Sequence, residues 1–287
     1  MGTSKGSSGP VGGVPLIPSW VDTGDDDAGS TEEIEKDHDN QEDSDPSENQ
    51  NNPKLEAPPP VLAPVARFRS ARSNLKSFGE TGDKESLKRG LAHYSRRGLG
   101  GSVNAGARMG KTSQTAQRLV DTFSRLRDGE ELRNDDREIN REALRGKSAR
   151  EIGDIVIEIV RPSDGTQDAE ANRESLNSAL SEVAQEFEDL DFASLTDDQM
   201  EFLVERYVGH DICHRIELDV GQVIIEKSGI AEGYRRLEEM LEFVHGKVHA
   251  EFDKMRATDK RISSSNASAF TNSIIVSTFN VFEEYLH

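Results

Sequence analysis

Apolar side chains recur at intervals of three and four residues along most of the second half of the chain. That interval returns a side chain to the same face of an α-helix, so each run predicts an amphipathic helix with one buried face. The clearest stripes are Leu176, Leu180, Val183, Phe187 and Leu190; Tyr234, Leu237, Leu241, Val244, Val248, Phe252 and Met255; and Phe270, Ile274, Ile275, Phe279 and Phe282. Residues 148–287 are therefore predicted to form a helical domain of about five helices.

Two helix starts are marked by a hydroxyl residue with an acid or amide three positions later. Ser148 precedes Glu151, and Thr196 precedes Gln199, which is the capping-box spacing. The run from Ile152 to Val160 after the first box is ambiguous, because its β-branched residues also alternate as in a strand.

Shorter helical patterns occupy the region before this domain. Ala66–Phe78, Lys84–Arg97 and Thr112–Leu126 each carry apolar residues at helical spacing, and glycines between positions 98 and 101 separate the second from the third. We predict a basic helical region at 66–127 and a polar linker at 128–147.

The first 65 residues have no helical period and are Gly/Ser-rich, then acidic, then proline-rich. Hydrophobic residues make up only 33% of the chain, which is low for a protein that is globular throughout. We therefore predict that residues 1–65 are a disordered tail. The predicted fold class is mainly α, with one or more helical domains preceded by this long acidic tail.

Charge is distributed in three blocks that the net value of −19 conceals. Residues 21–57 hold fourteen acids and two lysines, for a net charge of −12, whereas residues 66–127 hold fourteen bases and four acids, for +10. Residues 128–287 carry −18. The middle block is thus the part of the chain that would attract an anionic partner.

The only tryptophan, Trp20, lies in the predicted tail together with Leu16, Ile17 and Pro18. Large apolar groups in a segment that cannot fold alone usually become buried in a partner or on the body of the same protein. These residues are therefore candidate partner-binding residues, and the tail points to an interaction protein rather than an enzyme.

Cys213 is the single cysteine, which excludes an internal disulfide and fits a reducing cytoplasm. The chain has no run of eighteen apolar residues, so no membrane span is predicted. We expect a cytoplasmic protein.

Gly110-Lys111-Thr112 resembles the end of a phosphate-binding loop. The motif requires a glycine where Ala105 stands, and a buried strand before it, where the sequence is basic and glycine-rich. A helix start is the better interpretation.

Two histidine pairs, His210/His214 and His245/His249, have the i, i+4 spacing that places both rings on one helix face. The sequence lacks the glutamate of a His-Glu-x-x-His motif, and histidines on surfaces or at helix ends are commoner than ligands. We predict no metal site, and these four histidines are the candidates if one exists.

Several bases in the middle block could bind nucleic acid if the helices pack together. These bases are Arg67, Arg69, Lys88, Arg89, Arg96 and Arg97. Few aromatic residues lie between them, and docking on an acidic protein partner would explain the cluster of bases equally well. Since no set of nucleophile, base and orienting group is evident, we predict a non-enzyme without cofactors.

The chain resembles the QatB family, the associated proteins of the bacterial Qat antiphage system. The resemblance is carried by Met1-Gly2-Thr3-Ser4, by Pro15–Trp20, by Arg67-Phe68-Arg69-Ser70-Ala71-Arg72 and by short motifs between Ser86 and Gly110. It covers roughly the first 125 residues outside the acidic stretch, whereas the C-terminal helices look generic. Arg67, Phe68, Arg69 and Arg72 are on this ground added to the candidate partner-binding residues.

The resemblance implies three partners: a QueC-like protein (QatC), a large ATPase (QatA) and a TatD-like nuclease (QatD). QueC-type enzymes use ATP to activate a deazaguanine carboxylate for transfer to an amine. Removal of Met1 would leave Gly2 with an unhindered α-amine, partly neutral at cellular pH because its pKa is about 7.7–8.0. Gly2 is therefore the candidate modification site. The expected function is a non-catalytic component of an antiphage complex, with a nucleic-acid-binding adaptor as the alternative.

Overall fold

The computed structural model describes Pro15 and residues 62–134, 137–139, 141–144, 147–188 and 190–286. The tail predicted for residues 1–65 lies outside this part of the chain, apart from Pro15 and residues 62–65. The predicted mainly α class is confirmed by the described residues, which are predominantly helical.

The helices follow one another through short turns. Their bounds are α1 (Arg69–Thr81), α2 (Lys84–His93), α3 (Ser102–Arg108), α4 (Gly110–Arg127), α5 (Arg141–Leu144), α6 (Ala149–Val160), α7 (Gln167–Glu186), α8 (Asp197–Ile216), α9 (Gln222–Ser228), α10 (Ile230–Ala257) and α11 (Ala267–Glu284). Short π-helical segments, Tyr94–Leu99 and Glu217–Gly221, continue α2 and α8, and a 3-10 turn covers Phe192–Ser194.

Side-chain caps fix several helix starts, as the sequence predicts. Both capping boxes form: Ser148 with Glu151 at α6, and Thr196 with Gln199 at α8. The ambiguous run from Ile152 to Val160 is helical, because the box supplies the start and its buried residues share one helix face.

One hydrophobic core joins helices of the basic region to helices of the acidic domain. Helix α11 packs on α3 and α4, and α1 packs on α2 and α9. The Tyr94 ring contacts Phe68 on one side and Phe279 on the other, with centroid distances of 5.6 and 6.3 Å. The basic helices are therefore held rigidly against the rest of the molecule.

Helix α1 can approach α9 closely because Gly79 has no side chain. A Cβ atom at Gly79 would lie 2.7 Å from the backbone oxygen of Ile224, which is closer than such atoms approach in proteins. This contact fixes the position of α1, which begins at the last residue of the Arg67-Phe68-Arg69 motif.

The linker predicted at 128–147 contains an unpredicted antiparallel hairpin. Strands β1 (Leu132–Asn134) and β2 (Arg137–Ile139) pair with Leu132 opposite Ile139, and α5 follows. Leu132 and Leu144 are buried in the core. The two leucines anchor a segment whose polar composition alone indicates a loop.

Candidate functional site

The Arg-Phe-Arg motif at the start of α1 contacts the body of the protein through part of its side chains. Phe68 is only 7% exposed, and the Arg67 guanidinium lies over its ring at 4.6 Å. Arg72 donates a hydrogen bond of 3.0 Å to the backbone oxygen of Asp219. Arg69 is exposed. Within this motif, Arg69 and the edge of Arg67 are thus the groups available to a partner.

A groove of about 570 Å³ lies beside this motif. We call it the arginine groove; Arg67, Arg69, Arg96 and Arg97 line it together with Leu62 and Val65. Leu62 and Val65 are 56% and 75% exposed, so the groove joins apolar surface to four cations. Partial burial, and then repulsion from Arg108, lower the pKa of Arg67. The groove therefore suits an acidic or apolar–acidic occupant.

Pro15 lies at the edge of this groove. It forms an isolated antiparallel bridge with Leu62 and is half-buried. Gly2, Leu16, Ile17, Pro18 and Trp20 lie outside the described residues. The structure thus brings the position just before Leu16 to the arginine groove.

Two of the six bases considered for nucleic-acid binding do not line the groove. Lys88 pairs with Glu85 at 2.7 Å and lies 5.6 Å from the centre of the Tyr285 ring, while Arg89 is exposed on α2. The other four, Arg67, Arg69, Arg96 and Arg97, are brought together.

The rings of His210 and His214 lie 6.4 Å apart, centre to centre, but the four candidate histidines hydrogen-bond to different partners. His214 Nδ1 lies 2.8 Å from Ser175 Oγ, and His249 Nδ1 lies 2.9 Å from Glu205 Oε1. Glu182, His210 and His245 instead come together, with their potential ligand atoms within 4.8 Å of one another. This is the group with metal-ligand chemistry within the described ranges.

Arg206 limits the ability of this group to bind a metal ion. Its Nη1 lies 3.2 Å from His245 Nδ1, and His210 Nε2 lies 2.8 Å from Glu182 Oε1. A guanidinium only donates, so His245 Nδ1 accepts and its neutral ring carries the proton on Nε2. A metal at Nε2 would require the opposite tautomer and the release of Arg206. The group forms a hydrogen-bonded network between α7, α8 and α10, in which His245 Nε2 is buried and has no hydrogen-bond partner among the described residues.

The protonation of His245 should make the fold sensitive to acid. Burial first, then the charges of His210 and Arg206, lower the pKa of His245 from 6.5 to about 3. The unfolded chain takes up this proton at a higher pH than the folded chain does. The contribution of neutral His245 to the free energy of unfolding is therefore complete above pH 6.5 and is lost as the pH falls towards 3. At about 1.4 kcal/mol per pH unit, acidification from pH 6.5 to 5 should cost roughly 2 kcal/mol.

Urea unfolding at pH 7, 6 and 5 would measure this loss in the native protein and in His245→Asn. The variant should lose less stability on acidification, while His210, whose pKa burial also lowers, leaves a residual slope. Equal slopes for the two proteins would show that His245 does not titrate in this way.

A second cavity, of about 310 Å³, lies where α4 begins. We call it the α4 cavity. One side is formed by the junction between α3 and α4 and by the end of α8. The loop between α6 and α7 and the first turns of α7 form the rest. Helix α4 begins at Gly110, which confirms that Gly110-Lys111-Thr112 starts a helix. Asp211 lines the α4 cavity. It accepts hydrogen bonds from Thr112 Oγ1 at 2.5 Å and from Asn172 Nδ2 at 3.0 Å.

Burial raises the pKa of Asp211, although Thr112, Arg215 and Asn172 oppose the shift. No sequence motif points to Asp211 or Asn172. Their only signal is the occurrence of polar residues among the apolar positions of α7 and α8, where Asn172 and Ser175 face Asp211 and His214. That pattern marks polar contacts between two helices and does not reveal a cavity.

No helix within the described ranges is both long and apolar enough to cross a membrane.

The family model of the Qat anti-phage system associated protein QatB matches residues 100–282. The chain belongs to the QatB family. It is thus a component of the Qat antiphage system, and membership implies association with other Qat proteins. The family description names an associated protein and no reaction. The chain matches no curated protein and no solved structure.

The matched range differs from the part that carries the resemblance seen in the sequence. It includes the C-terminal helices, which looked generic, and the whole lining of the α4 cavity. The arginine groove and the peptide Pro15–Trp20 precede it, except for Gly100. The two candidate sites thus belong to different parts of the chain.

Proposed function

We propose that this protein docks on the QueC-like partner QatC through its N-terminal peptide, Leu16–Trp20, and presents Gly2 to that partner. The observation that carries the proposal is the bridge between Pro15 and Leu62 at the arginine groove. It supports a composite surface in which the peptide and the exposed groove residues Arg69, Arg96 and Arg97 contact one partner.

The chemistry of the two parts is complementary. Leu16, Ile17 and Trp20 would supply apolar anchors of the kind that dominate binding energy, and the arginines would steer an acidic surface towards them. Fourteen residues precede Pro15, the residue that pairs with Leu62. When extended, this segment can reach about 45 Å from the groove. Gly2 could then enter an active site remote from the docking surface.

The proposed reaction at Gly2 is an acyl transfer. The neutral α-amine attacks the carbonyl carbon of an acyl-adenylate formed by the partner from ATP; an amide bond forms, AMP leaves, and the amine loses a proton. The residues next to Gly2, Thr3 and Ser4, are small, and glycines recur up to Gly13, so little bulk lies at the entrance of a narrow active site. QatA and QatD are proposed further partners in the complex.

Intact-mass measurement after co-expression with the QueC-like partner tests the modification. The native chain should gain mass on the peptide that begins with Gly2, and Gly2→Pro should abolish the gain because the secondary amine is hindered. Docking of Gly2→Pro should remain close to that of the native chain. An unmodified Gly2 amine in cells that the system protects against phage would overturn the modification and leave the docking proposal standing.

A nucleic-acid-binding adaptor is the second candidate, favoured by the four arginines that share one groove. If it is correct, affinity should fall steeply with salt, with a slope of about −0.9 per phosphate contacted on duplex DNA. Charge reversal at Arg67, Arg69, Arg96 and Arg97 should abolish binding in a fluorescence-anisotropy titration.

The charge-matched control reverses four exposed bases outside the groove. These are Arg118, Lys147, Lys227 and Lys260. Absence of binding at low salt, measured on a chain without its acidic tail, would exclude this candidate. Equal loss in both sets of variants would assign the binding to net charge rather than to the groove.

A further inference from the structure

The α4 cavity has a volume at the lower end of the range for small-molecule sites, which is about 300–1,000 Å³. Neither the family description nor the proposed tail function assigns it a role. Its lining combines cations, carboxylates, one amide and a short apolar wall. The hydrogen bonds that each polar group already makes indicate which groups a ligand would have to supply.

The three carboxylates of the cavity already have partners. Asp168 accepts two hydrogen bonds from Arg215 Nη1, at 2.9 and 3.0 Å, and Asp164 pairs with Arg161 at 3.0 Å. Asp211 is bonded to Thr112 and Asn172. The carboxylates of the cavity are therefore already engaged within the protein.

The unsatisfied groups are of two kinds. Asn172 is 4% exposed, its Nδ2 bonds Tyr207 and Asp211, and its Oδ1 has no hydrogen-bond partner among the described residues. Arg161 Nε is likewise buried without a partner there. Lys111 is exposed at the rim and forms no ion pair in the described part of the chain. A ligand that completes the cavity needs both an N–H or O–H donor and an anionic oxygen group.

The start of α4 strengthens the anionic half of this requirement. Gly110, Lys111 and Thr112 form the first turn of an 18-residue helix, whose N-terminus carries a partial positive charge that is reduced here because only Met109 separates it from the end of α3. Because α3 rather than a strand precedes this turn, the site is no phosphate-binding loop of the nucleotide-hydrolysing type. It has the groups for binding an anion.

The remaining wall is apolar. Met109 and Ala171 line the cavity, and Leu218 is 42% exposed at its edge. Such a wall accepts the face of a flat ring, while amide oxygens recognise the N–H groups at a ring edge.

We propose that the α4 cavity binds a nucleoside monophosphate. Its phosphate meets Lys111, Arg161 and the start of α4, an N–H of its base donates to Asn172 Oδ1, and the base packs on Leu218. This inference is independent of the tail, because the lining lies between Arg108 and Leu218.

Isothermal titration of the full-length chain with AMP and with GMP tests the proposal, and inorganic phosphate, adenosine and guanosine serve as half-ligands. At least one nucleotide should bind in the millimolar range or tighter, and more tightly than its own nucleoside or phosphate alone. Lys111→Glu should weaken that binding at least about tenfold, since it replaces a charge-assisted hydrogen bond by repulsion. Leu218→Ser should weaken it by a smaller factor.

Lys260→Glu is the matched control, because Lys260 is exposed and lies outside the cavity. It should bind like the native chain. Both test positions are exposed, so loss of fold is not expected, and thermal melting of each variant checks this. Absence of nucleotide binding at millimolar concentration, or equal binding by Lys111→Glu and the native chain, would overturn the site. Phosphate binding as tightly as the nucleotide would overturn the assignment of the ligand.

Discussion

Arg256→Ala is expected to lower the free energy of unfolding by about 2–3 kcal/mol, because two buried carboxylates lose a charge-assisted hydrogen bond but each keeps another partner. Arg256 of α10 contacts Glu205 at 3.0 Å and Glu201 at 3.4 Å, and these two residues of α8 are only 3% and 2% exposed. Arg261 still reaches Glu201 at 2.7 Å, and His249 Nδ1 still lies 2.9 Å from Glu205 Oε1, so neither carboxylate loses its last partner.

Chemical denaturation of the full-length chain measures this effect. Arg235→Ala is the matched control, because Arg235 lies on the same helix and pairs with Glu232 and Glu239 at the exposed surface. Its loss should cost less than about 1 kcal/mol. Equal midpoints for Arg256→Ala and Arg235→Ala would show that the buried carboxylates do not depend on Arg256.

The helices were largely predictable because their apolar stripes face one core. The stripes on α7 and α11 lie largely on buried residues, whereas on α10 Val244, Val248 and Phe252 are buried and Tyr234 is 58% exposed. The two capping boxes fix the starts of α6 and α8. Ile152–Val160 shows the limit of periodicity, since β-branched residues fit a strand equally well. A single serine–glutamate pair marked the helix start that periodicity could not.

The α4 cavity could not be predicted in the same way. Lys111, Asn172 and Asp211 come from three segments far apart in sequence, and only the packing of α4, α7 and α8 brings them together. The histidine spacing could not reveal the contacts between helices. An i, i+4 spacing reports neighbours on one helix, whereas His210 finds its partners, Glu182 and His245, on α7 and α10.

Truncation of Leu16, Ile17 and Trp20 to alanine is expected to weaken binding to the QueC-like partner by about 2–4 kcal/mol, the usual contribution of a buried tryptophan anchor. These are the sizeable apolar groups that follow Pro15, which lies beside the arginine groove. A surface-bound titration of purified QatC against the native and truncated chains measures the change.

The control replaces three polar tail residues beyond the peptide, Thr23, Ser30 and Thr31, by alanine and should leave the affinity unchanged. The double variant Arg69→Glu, Arg97→Glu tests the arginine half of the proposed surface separately from the peptide. Because exposed charges mainly affect the rate of association, this variant should slow association more than it speeds dissociation. Anchor truncation should act in the opposite way, through faster dissociation. If the truncated chain binds as tightly as the native one, the partner does not hold the peptide, and the arginine groove of this same chain becomes the expected place of Trp20.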